Sequence, residues 1–207
     1  MDVRFAHARS ALSRRCLAAA GLAGLLLAAL PAQAAWQLAP DQSQVTATIV
    51  EITPSGPVPH THRVRRLQGD LSGEGTLRLP LRLNQTDVMD KLGQLPTWLS
   101  GLADTPLATV VTQFPPSRLD ALGVGESLTE TLMLRVQSDK GNRQEPLEMR
   151  FTRESTDTIH VENAQRVVLD GQALMSDQNA RSVLMLLGYE QIGDEVPIRL
   201  DATLIDR

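Results

Sequence analysis

Hydrophobic and polar residues alternate along most of the chain from Trp36 onward, which is the pattern of β-strands that bury one face. The clearest run is 76–83, where leucine takes every second position and threonine, arginine or proline stands between. Runs with the same period lie at 45–49, 128–136, 147–151 and 196–204, and two shorter ones at 159–161 and 167–169. The alternation predicts about eight or nine strands.

Two segments follow the spacing of a helix instead. Apolar residues in 87–102 recur every three or four positions, and Pro96 divides that segment into two short pieces. Segment 177–187 has the same spacing, and Gly188 stands where helices commonly end. The sequence Asp-Lys-Gly-Asn at 139–142 separates two strand runs and predicts a hairpin turn.

Many strands with two helical insertions are typical of a barrel or a sandwich, and a closed barrel leaves no strand edge exposed. No repeat, linker or low-complexity tract divides the strand-rich part of the chain. We therefore predict a mainly β fold, a single antiparallel β-barrel of about eight strands with two short helical insertions.

The first 34 residues are typical of a secretory signal peptide. A basic stretch ends at Arg14 and Arg15, an apolar run covers 17–30, and Ala-Gln-Ala at 32–34 is a small-residue cleavage site. We predict cleavage after Ala34, which leaves residues 35–207 as the barrel domain.

Two alternatives bear on this leader. A retained membrane anchor needs about 20 apolar residues, more than 17–30 supplies, so we expect no membrane span in the mature protein. Cys16 precedes the apolar run, which argues against a lipoprotein anchor. The arginine pair also fits a twin-arginine export signal, and either export route predicts a periplasmic protein.

Removing the leader changes the composition. It carries four arginines and one aspartate, so the net charge falls from −4 to about −7, and the single cysteine is lost. The mature chain therefore has no disulfide or cysteine nucleophile, and its acidity argues against nucleic acid as a partner. It keeps 25 leucines but five aromatic residues, a composition that suits aliphatic contents, either its own side chains or a lipid tail.

The first candidate for chemistry is a basic cluster. His60 and His62 are two apart, so on a strand both project to one face and could bind a metal. The third mature histidine, His160, is distant in sequence, and three arginines follow the pair, so we predict no metal site. The cluster is either an anion or acidic-partner contact or a solvated outer face: His60, His62, Arg63, Arg65, Arg66.

Motifs of catalysis and of cofactor binding are missing from the sequence. It has no nucleophile elbow, phosphate loop or dinucleotide fingerprint, and the glycine pairs at 73–75 and 123–125 stand between strands as turns. We predict no catalytic residues, no cofactor and no enzyme activity.

The apolar residues of the two helical segments could cover the mouth of a barrel as a lid, or could complete a solid core. They are Leu95, Trp98, Leu99 and Leu102 in the first segment, and Leu184, Met185, Leu187 and Tyr189 in the second.

The order of these features resembles the YceI-like family of periplasmic polyisoprenoid-binding, lipocalin-like proteins. The resemblance rests on 36–38, 41–43, the sequence His-Arg-Val-Arg-Arg-Leu-Gln-Gly-Asp-Leu at 62–71, and on 77–83, 105–110 and 196–200. It implies a lipocalin-like barrel with a long apolar channel for an isoprenoid chain. Relatives carry an arginine-rich segment after the third strand, where this chain has Val-Met-Asp-Lys-Leu-Gly-Gln-Leu at 88–95.

For the channel that this resemblance implies, strand parity predicts the lining residues. They are Leu77, Leu79, Leu81, Leu83, Leu132, Leu134, Leu147, Met149, Phe151, Ile198, Leu200 and Leu204. The leading hypothesis is a periplasmic binding or carrier protein for a long-chain lipid such as a polyisoprenoid or quinone. The alternative is a structural or interaction protein with a self-filled barrel and an envelope protein partner, and a third possibility is an enzyme acting on lipids.

Overall fold

The structure is a computed structural model that describes residues 36–72, 74–92, 97, 101, 103–104, 106–114, 116–138 and 141–206. Contacts divide the chain into two units, Met1–Gln33 and Ala34–Arg207. All described residues belong to the second unit.

Eleven strands of the described residues form one antiparallel sheet. They are β1 (Trp36–Leu38), β2 (Gln44–Thr53), β3 (Gly56–Arg65), β4 (Asp70–Leu71), β5 (Thr76–Arg82), β6 (Pro106–Gln113), β7 (Ser127–Ser138), β8 (Gly141–Arg153), β9 (Thr158–Asn163), β10 (Val167–Asp170) and β11 (Glu195–Asp206). The sheet curls into a half-barrel, since adjacent strands twist relative to one another. The predicted mainly β, antiparallel fold is confirmed.

The sheet has the order β3-β2-β11-β9-β8-β7-β6-β5-β4, and both β1 and β10 also pair with β11. β11 therefore has four antiparallel partners, because β1 follows β2 along one of its sides and β10 follows β9 along the other. Trp36 lies opposite Asp206, so β1 and β11, the first and last described strands in sequence order, are neighbours in the sheet.

The described residues contain four α-helices and two short 3-10 turns. The helices are α1 (Val88–Leu92), α2 (Pro116–Asp120), α3 (Gly171–Ser176) and α4 (Gln178–Leu186), and the turns are Pro40–Gln42 and Leu83–Gln85. Asp170 and Asp177 cap α3 and α4, because their carboxylates accept hydrogen bonds from backbone N–H groups of the first turn. The second helical insertion is confirmed, although it begins at Gly171 rather than Asp177.

The other local predictions have mixed outcomes. The first helical insertion is confirmed for α1, while most of 93–102 lies outside the described residues. The predicted hairpin is confirmed, because β7 and β8 pair up to Ser138 and Gly141. Gly75 forms the predicted turn with φ of 83°, and a Cβ there would lie 1.8 Å from the carbonyl oxygen of Phe114.

The two ends of the sheet, β3 and β4, are not joined to each other by a strand ladder within the described residues. Single contacts connect β3 with the segment that follows β5 instead. Val64 forms an isolated bridge with Thr86, and Asp87 N–H donates to the carbonyl of Arg63 at 2.9 Å. We call this region, between β3 and the segment 82–87, the seam.

The concave side of the sheet carries two clusters of buried residues. The first contains Trp36, Phe114, Leu119, Leu132, Met149, Phe151, Ile159, Val161, Ala202 and Leu204. The second contains Ile49, Leu184, Tyr189, Ile192 and Val196, with Leu174, Met175 and Leu187 packed against it. Helices α3 and α4 therefore contribute to the second cluster, together with side chains of β2 and β11.

Candidate functional site

The residues predicted to line the interior are all withdrawn from solvent. Six are buried, namely Leu79, Leu83, Leu132, Met149, Phe151 and Leu204. Leu77, Leu81, Leu134, Leu147, Ile198 and Leu200 are half-buried. Strand register places the eleven that lie on strands on one face, because residues directly opposite in a ladder project to the same side, as Leu132 and Leu147 do. Leu83 lies in the 3-10 turn that follows β5.

The first cluster fills its part of the interior with the protein's own side chains. Phe114 and Phe151 stack with ring centroids 4.6 Å apart, and Trp36 is 2% exposed. Trp36 Nε1 donates to Asp120 in α2 at 2.8 Å, and the Arg153 guanidinium lies 5.5 Å from the centre of the indole. The same guanidinium donates to the backbone carbonyl of Leu122 at 2.9 Å. This part of the interior is a packed core.

The second cluster is where part of the predicted lid lies. Leu184, Leu187 and Tyr189 face the inner side of β2 and β11, whereas Met185 is 46% exposed on the outer side of α4. The remaining predicted lid residues, Leu95, Trp98, Leu99 and Leu102, lie outside the described residues.

The leucines of β5 form a separate apolar strip. In the ladder with β6, Leu77, Leu79 and Leu81 lie opposite Thr112, Val110 and Ala108 respectively. As far as the described residues show, the β5 leucines belong to neither packed cluster. This strip is therefore an aliphatic part of the inner face that lies apart from the two packed clusters.

The predicted basic cluster is divided between two faces. His62 lies opposite Ala47 and His60 opposite Ile49, which places both imidazoles on the inner face. Arg63 and Arg65 alternate with them and project outward. The five basic residues therefore do not form one continuous surface.

The two histidines join a polar cluster at the inner face. His60 Nε2 donates to Glu51 at 2.9 Å, and its ring stacks on Tyr189 with centroids 4.8 Å apart. His62 Nε2 is 3.0 Å from the Tyr189 hydroxyl, and its Nδ1 is 3.4 Å from Asp87 Oδ1. We call Glu51, His60, His62, Asp87 and Tyr189 the inner polar cluster.

Burial shifts the pKa of two members of this cluster, His62 and Tyr189. It lowers the pKa of His62, and the nearby charge of Lys91 lowers it further, while Asp87 opposes both effects. With the proton of the neutral imidazole on Nδ1, which faces Asp87, Nε2 accepts a hydrogen bond from the Tyr189 hydroxyl. Burial, together with the carboxylates of Glu51 and Asp87, raises the pKa of Tyr189 and keeps its hydroxyl protonated.

The sequence did not reveal this cluster, because its members come from four places in the chain. The pairing of Glu51 with His60 could have been found from strand parity across the β2–β3 hairpin. Tyr189 was predicted only as a lid residue, and 127 positions separate it from His62. Asp87 follows a 3-10 turn whose position no periodicity indicates.

The cluster offers hydrogen-bond donors and acceptors at the edge of an apolar interior. It contains two carboxylates, so it disfavours an anion and suits a neutral polar group. Within the described part of the chain, no three histidine or acidic side chains are placed to hold a metal ion. No described helix is long and apolar enough to cross a membrane.

These features define the class of the molecule as a lipocalin-like half-barrel whose concave face is largely aliphatic. Among solved structures, the chain is similar to a polyisoprenoid binding domain from Saccharophagus degradans implicated in plant cell wall breakdown. The two are 20% identical with a TM-score of 0.67, and the match covers 84% of this chain and 99% of that one. The likeness shows the fold, so the predicted YceI-like fold is confirmed. No family profile and no curated protein matches this sequence.

Proposed function

We propose that this protein is an exported, periplasmic carrier that binds a long-chain apolar lipid, such as a polyisoprenoid or a quinone, inside the half-barrel. The observation that supports it most is the aliphatic strip on β5, which the two packed clusters leave to one side. The similar solved domain, whose name describes it as polyisoprenoid binding, supports the same proposal. We propose a binding role rather than catalysis.

The energetics of such a ligand favour this site. An isoprenoid chain is nearly all apolar, and removing apolar surface from water contributes about 25 cal/mol per Å². Aliphatic walls therefore bind it without specific polar contacts. We assign the tail to the leucines of β5, Leu77, Leu79 and Leu81, and a neutral polar end to the inner polar cluster.

A second candidate is a structural protein with a self-filled barrel and an envelope protein partner. One observation favours it, since Trp36, Phe114 and Phe151 already fill one part of the interior with rings. The two candidates differ in what the β5 strip contacts, either a ligand or only other side chains.

The test is to identify and quantify the lipid that copurifies with the protein. Mature protein expressed in the periplasm is extracted with organic solvent, and the extract is examined by mass spectrometry. We expect a long-chain lipid at near one per protein molecule. Leu79→Arg, which places a charge on the inner face, should abolish loading while the circular dichroism spectrum stays native.

Thr109→Arg is the matched control, because it adds the same charge to neighbouring β6 on the outer face, opposite Pro80. It should load normally. Protein that never carries a lipid contradicts the carrier proposal. So does a Leu79→Arg variant that loses fold and ligand together, since that result shows a solid core.

A further inference from the structure

A hollow of about 770 Å³ lies at the seam, on the opposite side of β3 from the inner polar cluster. Its walls come from the turn after β1, the end of β3, the end of β5 and α1. They carry three arginines, Arg65, Arg66 and Arg82, two aspartates, Asp41 and Asp90, and five carboxamide side chains. We call it the seam groove.

We propose that the seam groove is a binding site for a phosphate-type oxyanion, either free phosphate or diphosphate or the phosphate of a lipid head group. This inference does not depend on the carrier function, because the groove lies outside the apolar interior.

The charge and donor pattern favours an anion with several oxygens. Guanidinium groups bind oxyanions through forked hydrogen bonds, and one guanidinium already satisfies both oxygens of a carboxylate. Three guanidiniums and a set of amide donors exceed what a carboxylate can use and match the additional oxygens of a phosphate. The groove carries a net positive charge in an otherwise acidic protein.

The aspartates in the groove pair with two of the arginines but leave them accessible to a ligand. Arg66 and Asp41 are 3.8 Å apart, with side chains 79% and 89% exposed, and Arg65 pairs with Asp90 at a similarly solvated position. Exposed ion pairs of this kind contribute little to stability, so a phosphate can replace them at small cost. Arg82 is held differently, since its Nε donates to the backbone carbonyl of Asp104 at 3.0 Å.

The backbone of Arg66 supports a role beyond packing. Among the described residues it is the single non-glycine residue with positive φ, at 54°, a conformation that costs a side-chain-bearing residue free energy. The amide of Gln85 donates to its carbonyl oxygen at 3.2 Å while accepting from the backbone N–H of Arg82 at 2.8 Å. One glutamine thus fixes two of the three arginine backbones relative to each other.

The test measures binding of inorganic diphosphate to the mature protein by isothermal titration calorimetry. In parallel, it measures cosedimentation with phosphatidylcholine vesicles prepared with and without phosphatidylglycerol. We expect Arg65→Gln combined with Arg82→Gln to weaken the binding that is observed by about tenfold or more, and added salt to weaken it as well. Arg78→Gln is the matched control, because it removes the same charge from β5 outside the groove and should bind as the parent does.

Arg66→Gly separates the site from the fold. Glycine relieves the positive φ, so the variant should be at least as stable as the parent in urea unfolding, yet bind more weakly. Diphosphate binding without vesicle binding identifies a soluble phosphate ligand, and binding that requires phosphatidylglycerol identifies a lipid head group. Absence of both overturns the proposal, and so does binding that Arg78→Gln weakens as much as the groove variants do.

Discussion

Neighbouring side chains on β3 face different surroundings. His60 and His62 face the interior, while Arg63 and Arg65 face water, because successive residues of a strand project to opposite sides. The sequence shows this alternation, and it was sufficient to predict that the two histidines share a face. It could not show which face is inner, since that depends on pairing with β2 and on distant residues such as Tyr189.

The buried imidazole of His62 should make stability depend on pH. Its pKa lies below the ordinary value of 6.5, so the unfolded chain binds more protons than the folded chain in acid. The free energy of unfolding therefore keeps its full value above about pH 6.5 and decreases as the pH falls toward the pKa of the folded state. The slope from this one group is at most about 1.4 kcal/mol per pH unit. Urea unfolding across this range measures the slope.

The comparison that isolates His62 uses two variants. His62→Gln should lose the part of the slope below pH 6.5, whereas His160→Gln should keep it, because His160 is half-exposed on the outer face of β9. An unchanged slope in His62→Gln would show that other groups cause the acid sensitivity.

At the scale of elements, long strands were predicted better than short helices and strands. The leucine alternation of 76–83 indicated β5 because the inner face of that strand is uniformly apolar. Helix α2 was not predicted, since five residues beginning at Pro116 are too few for a helical period to appear. The two-residue strand β4 was missed for the same reason.

The free edge of β3 contains two prolines, which limit its pairing with another chain. The carbonyl of Arg63 points away from β2 toward Asp87, so residues of the same parity, including Pro57 and Pro59, direct their backbone nitrogens to that edge. Proline has no N–H to donate, and this limits pairing with another chain. Exposed Val58 lies between them, where such pairing would bury apolar surface.

Replacing both prolines by threonine should therefore promote self-association. We expect the Pro57→Thr, Pro59→Thr variant to form dimers or larger species that increase with concentration in analytical ultracentrifugation. Pro54→Thr changes a proline in the adjacent exposed turn and should leave the sedimentation of the protein unchanged. A double variant that sediments like the parent at every concentration argues against this role of the prolines.

At the scale of the whole molecule, the barrel-like fold followed from the sequence, but its closure did not. Alternation predicts that strands bury one face and favours a barrel, yet it contains no information on which strands meet at the ends of the sheet. The seam arises from contacts of β3 with Thr86 and Asp87, and of Arg66, just after β3, with Gln85, which are side-chain and loop interactions without a period. The seam groove was unpredictable for the same reason.

Pairing of β1 with β11 predicts that the chain tolerates circular permutation. Trp36 and Asp206 lie opposite each other, so a short glycine-rich linker can connect them without strain. A permutant opened at exposed Val124 should fold, with a thermal midpoint within several degrees of the parent protein. A permutant opened between Leu200 and Asp201, inside β11, should fail to fold, and equal midpoints for the two would contradict this view of the sheet.

The position of β11 also constrains the order in which the molecule can be assembled. It is the last strand in the sequence and the one that joins β1, β2, β9 and β10 into a single sheet. A ribosome or a translocation channel that releases the chain from its amino end delivers this strand after all the others, and contacts of such long sequence separation form slowly. The aliphatic faces of the earlier strands therefore stay exposed until β11 emerges, and we expect the chain to be most prone to aggregation during that interval.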